Sequence, residues 1–177
     1  MNNNLPLAWG ACSGFARKYA DDGTKGTEWV KFTTIVEDSA TLDTTEGDKT
    51  EATIEGGDVE AVRYTKNKYA LSFEERMGSK HSNKLSAVDG VVSGTYEFVL
   101  IPTENANAPG IYIPRANAAV SESYTAADGI KEKYTFDALK NDLGSKYGKV
   151  IFGIGTLTGG APASFCSFDD PGTDLLG

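Results

Sequence analysis

The stretch Lys68-Tyr69-Ala70-Leu71-Ser72-Phe73-Glu74 decides the fold class. Tyr69, Leu71 and Phe73 alternate with Lys68, Ala70, Ser72 and Glu74. A period of two places one set on a buried face and the other in water, as in an antiparallel strand. Working outward, residues 94–102 form a second strand with Tyr96, Phe98 and Leu100 on one face and Val99 and Ile101 on the other. Apolar residues on both faces predict a central strand. Residues 29–36 (W-V-K-F-T-T-I-V) are β-branched and aromatic, with Val30, Phe32, Thr34 and Val36 sharing a face. Residues 130–138 follow the turn Asp128-Gly129, with Ile130, Tyr134 and Phe136 inward and Lys131, Lys133 and Thr135 outward. Residues 111–124 are extended but interrupted by Pro114, which predicts an edge or a bulge. Val150, Phe152 and Ile154 mark a last strand. Helical signals are weak: short helices are conceivable over 11–19 and from Ser79 to Val88, with one turn near Phe136–Leu143 ended by Gly144. The sum is a mostly-β chain, an antiparallel β-sandwich or barrel of about eight strands with one short helix.

The 177 residues fit one domain with extensions. Residues 1–28 read as an N-terminal arm, 29–156 as the β domain and 157–177 as a Gly-, Pro- and Ser-rich C-terminal arm that packs only when a neighbour supplies a surface. Within the domain, 37–58 reads as a long acidic loop. Residues 37–60 hold nine acids and one base, Lys49, so this stretch alone equals the whole chain's net charge of −8. Short strand pieces are expected near Thr41-Leu42 and over 52–54, and a hairpin pairs 59–65 with 68–76 around Lys66-Asn67. Loops of this length inside a compact domain usually serve a function.

Net acidity disfavours tight nucleic-acid binding; it is compatible with a channel wall that lets DNA slide past and equally with plain solubility, the commoner case among proteins. The two cysteines, Cys12 and Cys166, make no metal spacing and read as reduced thiols, a single disulfide between them being the less favoured state. The first twelve residues lack the basic start of a signal peptide, and Gly10-Ala11-Cys12 only faintly echoes a lipoprotein site. No apolar run reaches the length of a membrane span.

The sequence carries no catalytic or metal-binding signature. The one histidine, His81, lies in a Ser/Lys-rich segment with no nucleophile elbow nearby. Asp43-Thr44-Thr45-Glu46-Gly47-Asp48 lacks the alternating register of a calcium loop. Glu74 and Glu75 point to opposite faces of a strand, with Glu74 toward water and Glu75 at the strand's end; Asp169-Asp170 is a second adjacent pair. Gly153-Ile154-Gly155 lacks a third glycine and a following helix. The expectation is a non-enzyme with no catalytic, cofactor or metal residues.

Three segments together resemble the major tail proteins, or tail-tube proteins, of long-tailed phages. They are Asp43-Thr44-Thr45-Glu46-Gly47-Asp48-Lys49-Thr50-Glu51 leading through Glu55-Gly56-Gly57-Asp58 into a strand, the alternating strand 68–74, and Ala127-Asp128-Gly129-Ile130-Lys131-Glu132-Lys133-Tyr134-Thr135-Phe136-Asp137-Ala138-Leu139. The likeness covers about residues 30 to 155 and consists of strand and turn patterns. It implies a structural virion protein that self-assembles into stacked homo-oligomeric rings, commonly hexamers, forming the conduit for DNA ejection. It also implies tape-measure and terminator proteins as partners, a location in the virion tail after assembly in the bacterial cytoplasm, and no membrane. Lys66, Lys68, Lys80 and Lys84 are candidate bases to face acidic loops across a ring junction. The alternative is an extracytoplasmic binding or adhesion domain, lipid-anchored at Cys12.

Overall fold

The computed structural model describes residues 10–32, 35–79 and 84–177. Among these there is no helix; the chain is all-β and antiparallel. In chain order the strands are β1 (Cys12–Tyr19), β2 (Lys25–Phe32), β3 (Thr41–Thr45), β4 (Lys49–Thr53), β5 (Val59–Tyr64) and β6 (Lys68–Arg76). They continue as β7 (Val91–Pro102), β8 (Gly110–Thr125), β9 (Gly129–Ala138), β10 (Ile151–Thr158), β11 (Ala161–Ser167) and β12 (Asp170–Asp174). Ten of them form one sheet, while β4 and β5 form a second sheet of their own.

The large sheet forks at β8. One edge of this strand pairs with β7; its other edge pairs with β10 near Tyr112 and with β9 from Ala116 onward. From the fork, one branch runs β8–β10–β11–β12 and the other β8–β9–β6–β3, while β7, β1 and β2 complete the third side. The register slips around Pro114, so the proline is accommodated at a bulge in a central strand. The ladder does not close. The chain leaving β2 only touches β6, through the bridge Ile35↔Glu75 and the Val36 amide on the Glu74 carbonyl at 2.8 Å. The loop between Val88 and Val91 is a two-residue turn in which Asp89 and Gly90 both take positive φ, 49° and 80°. That geometry reverses the chain tightly into β7.

The curled sheet encloses an aromatic core. Phe32 is met by Tyr134 at 4.9 Å and Phe73 at 5.0 Å between ring centroids, and Phe98 lies 4.4 Å from Phe136. All five rings are fully buried. Burying each stabilises the fold by about 1.5–3 kcal/mol. The opposite face of β1, β7 and β8 carries a second core of Phe15, Val99, Ile101 and Tyr112, covered by Phe165, Leu175 and Leu176. Adjacent residues therefore serve different cores: Phe15 one and Ala16 the other, Phe98 one and Val99 the other. This is the central position that the two-faced pattern of 94–102 predicts.

Several expectations are corrected. Residues 12–28, read as part of an arm, supply β1, the turn after it and the start of β2; the conceivable helix over 11–19 is a central strand. The C-terminal residues do not wait for a neighbour, because Phe165, Leu175 and Leu176 pack on the chain's own body. Residues 136–138 finish β9 rather than start a helical turn. Of the helix expected from Ser79 to Val88, residues 80–83 lie outside the described residues, and 84–88 form a turn leading to the isolated bridge at Val88 rather than helix. The strand near 150–154 is not the last, since β11 and β12 follow it; in it Ile151, Gly153 and Gly155 face inward, and Phe152 is half exposed. A side chain at Gly153 would strike the Cys166 carbonyl, and one at Gly155 would strike Ile101, so the Phe165 ring fills the room those glycines leave. Finally, β5 pairs with β4 and not with β6, which pairs with β3 and β9.

Candidate assembly interface

The segment read as an acidic loop is one long hairpin. Its base is β3 paired with β6, where Leu42 opposite Leu71 fixes the register against the core. At Gly47 the ladder breaks. The Gly47 amide donates to Asn67 Oδ1 at 3.0 Å, and Asp48 and Thr65 exchange bonds of 2.7 and 2.9 Å. Beyond this neck, β4 and β5 pair only with each other, and every residue of both strands is exposed. At the tip, Gly56 and Gly57 take φ of 103° and 88°, which permits the tight reversal.

This outer hairpin mixes apolar and acidic residues. Ile54, Val59, Val62 and Tyr64 are all large and solvent-exposed, Tyr64 at 67%. Residues 46–65 carry six acids against Lys49 and Arg63. Lys49 pairs with Glu51 beside it. Of the proposed facing bases, Lys66 and Lys68 are exposed at the neck. Lys84 is engaged internally, donating to Glu75 Oε1 at 2.9 Å and to the Lys31 carbonyl at 3.0 Å, and is withdrawn from that role. Lys80 and His81 lie outside the described residues.

Other exposed apolar side chains sit at strand ends: Val88 with Val91, Tyr124 opposite Ile130, and Phe152 near Phe168.

Sequence reasoning missed the buried charges. Glu97 is fully buried and is joined by Arg17 and by Tyr112, whose hydroxyl donates to Oε2 at 2.8 Å; Lys25 lies 3.7 Å away. Burial, and then the Glu97 charge, push the Tyr112 hydroxyl well above its ordinary pKa and lift Tyr19 to about 12. Burial lowers Lys25, against the pull of Glu97. On the other core, Glu75 is buried opposite the buried Glu132 in the β6–β9 register. Tyr134 donates to Glu132. Glu74, on the far side of the strand, binds Lys131 at 3.0 Å. The two adjacent carboxylates thus face opposite ways, and Glu75, next to the last residue of β6, is buried in the interior.

A cleft of about 770 Å³ lies between the start of β1, the 35–40 segment and the β7–β8 end. Cys12, Glu37, Asp38 and Glu104 line it. Burial raises the Cys12 pKa, which leaves the thiol protonated and weakly nucleophilic. Both cysteines are free thiols. Among the described residues no group of three His, Cys, Asp or Glu is placed to hold a metal ion, and Asp43 and Asp48 sit in an exposed hairpin. Asp170 accepts from Lys146 and from Tyr147 at 2.9 Å.

The chain matches no protein-family model and no curated protein. An exposed, partly apolar hairpin projects from a body whose two cores are filled.

Proposed function

We infer that this chain is a structural subunit that assembles with copies of itself, and specifically that it builds the stacked rings of a phage-type tail tube. The observation that carries the reading is the β4–β5 hairpin. A two-stranded hairpin alone is marginal in water. This one displays Ile54, Val59, Val62 and Tyr64 with no body of its own beneath them. A partner surface that covers these side chains removes both difficulties, and a second copy is the partner the resemblance supplies. On this reading the curled sheet acts as the sandwich- or barrel-like wall element of each ring. Open edges at β2, β3 and β12 pair with or lie against neighbours, and the hairpin reaches the next ring. An acidic surface repels phosphate and keeps passing DNA from sticking.

Tape-measure and terminator proteins are the partners expected inside and at the end of such a tube. No catalytic step is part of this reading.

The test is negative-stain microscopy of the purified full chain across a concentration series. Rings with a central hole, or tubes, are expected. A strict monomer at the highest concentration reached overturns the reading.

A further inference from the structure

Residues 171–177 are attached unevenly. The outer part, 171–174, is exposed, and β12 meets β11 at only two register pairs separated by an irregularity. The inner part is gripped. Leu175 and Leu176 are buried at 5% and 6% exposure. Lys25 Nζ donates to the Leu175 carbonyl at 2.9 Å, and Arg17 Nη2 donates to the Leu176 carbonyl at 3.0 Å. The Leu175 amide donates to the Phe165 carbonyl at 2.9 Å, while Asp174 Oδ1 accepts from the amides of Phe165 and Leu176, each at 3.0 Å.

The charged and hydroxyl donors that grip this segment have an anchor apart from it. Arg17, Lys25 and Tyr112 all gather on Glu97, so the donors stay in place whether or not the leucines are docked. The apolar floor of Phe15, Val99 and Phe165 belongs to three other strands. A pivot is also present. Asp170 is fixed by Lys146 and Tyr147, and the next residues are Pro171 and Gly172, the glycine in open space.

We propose that the groove bounded by Arg17, Lys25, Trp29, Tyr112 and Phe165 is a docking site for residues 171–177 of a second copy, so that neighbouring subunits exchange these segments. The same contacts form within a chain or between chains, so the exchange alters only the pivot and the chain entropy, which is why swapping of an identical element is an accessible route to association. High local concentration in an assembly then favours the inter-chain form. Leu175 lies five residues along the chain from Asp170, a reach of about 17 Å when extended, so the accepting groove must belong to a packed neighbour. The inference therefore rests on self-assembly, but it uses neither β4 nor β5.

The test uses the full chain. Isotopically light and heavy copies are mixed while dissociated, allowed to assemble, and treated with a zero-length carbodiimide reagent that joins the Lys25 amine to the carboxylate of Asp174, the residue before the Leu175 whose carbonyl Lys25 binds at 2.9 Å. Mixed light–heavy linked peptides are expected. Same-isotope pairs alone, or no linked pair, overturn the exchange. As a second measurement, a chain ending at Asp170 and shown by circular dichroism to be folded should bind a fluorescent peptide of residues 171–177 saturably. Its L175A/L176A counterpart should bind more than about tenfold more weakly. Absence of saturable binding overturns the proposal; if the shortened chain does not fold, the isotope experiment decides. Rings without mixed pairs remove only the exchange. Mixed pairs in small oligomers that never form rings remove the tube reading and leave the exchange standing.

Discussion

Tyr112 donates its hydroxyl to Glu97 across the β7–β8 pair at 2.8 Å, with both side chains wholly buried. This bond ties a carboxylate that has no access to water to a strand that anchors both branches of the sheet. Arg17 and Lys25 supply the compensating charge from β1 and β2. A buried carboxylate without such partners is strongly destabilising.

Replacing Glu97 by Gln removes the charge and strands Arg17 and Lys25 beside each other. The expected loss is about 3 kcal/mol. Tyr112→Phe leaves the Glu97–Arg17 pair intact and should lose about 1–2 kcal/mol. Urea titrations of both variants check the order; an E97Q chain as stable as the parent refutes the account.

Alkaline pH should unfold the chain for a stated reason. Folding raises the pKa of Tyr19 from about 10 to about 12, and raises Tyr112 and Tyr134 further, so the native state holds protons that the unfolded state releases. Stability from these groups is fully present below pH 10 and falls as pH rises through 10 to 12 and beyond. Phenolate absorbance should show these tyrosines ionising late and together with loss of the fold. Early ionisation of all eight tyrosines in a still-folded chain contradicts it.

Val62 and Tyr64 alternate onto one face of β5 and are exposed. The V62S/Y64S chain should keep its stability within about 0.5 kcal/mol, as surface substitutions do, yet lose the ability to form higher-order species. Thermal melting and light scattering, measured on the same sample, separate the two effects. Unimpaired assembly by this variant counts against the hairpin as the contact.

Phe165 is fully buried between Tyr112, Gly153 and Gly155. Phe165→Ala should destabilise the dissociated monomer by about 3–5 kcal/mol. If β11 packs only on a neighbour, the monomer's melting temperature will not change.

The alternation in 68–74 and the two-faced run 94–102 made the class and the central strand legible without coordinates, because side-chain parity is a local property of extended chain. Glu97 was legible in principle as well. It stands between Tyr96 and Phe98 and shares its face with Val99 and Ile101, so a central strand obliges it to be buried. Its partner was not, since Arg17 lies 80 residues away and only the fold brings it there. The outer hairpin was misread for a related reason. Residues 59–64 carry a strand pattern that fits either β4 or β6, and the choice is made by β9, which pairs with one edge of β6 while β3 takes the other.

By itself, then, the sequence determined an acidic, antiparallel β chain with a charged excursion after its first strong strand, because composition and period are written residue by residue. The tertiary structure alone decided that the excursion stands off the body as its own sheet, that the supposed arms fill a second core, and that Glu97 sits among Arg17, Lys25 and the Tyr112 hydroxyl. Those outcomes depend on which distant strands become neighbours, and no short stretch of chain encodes that.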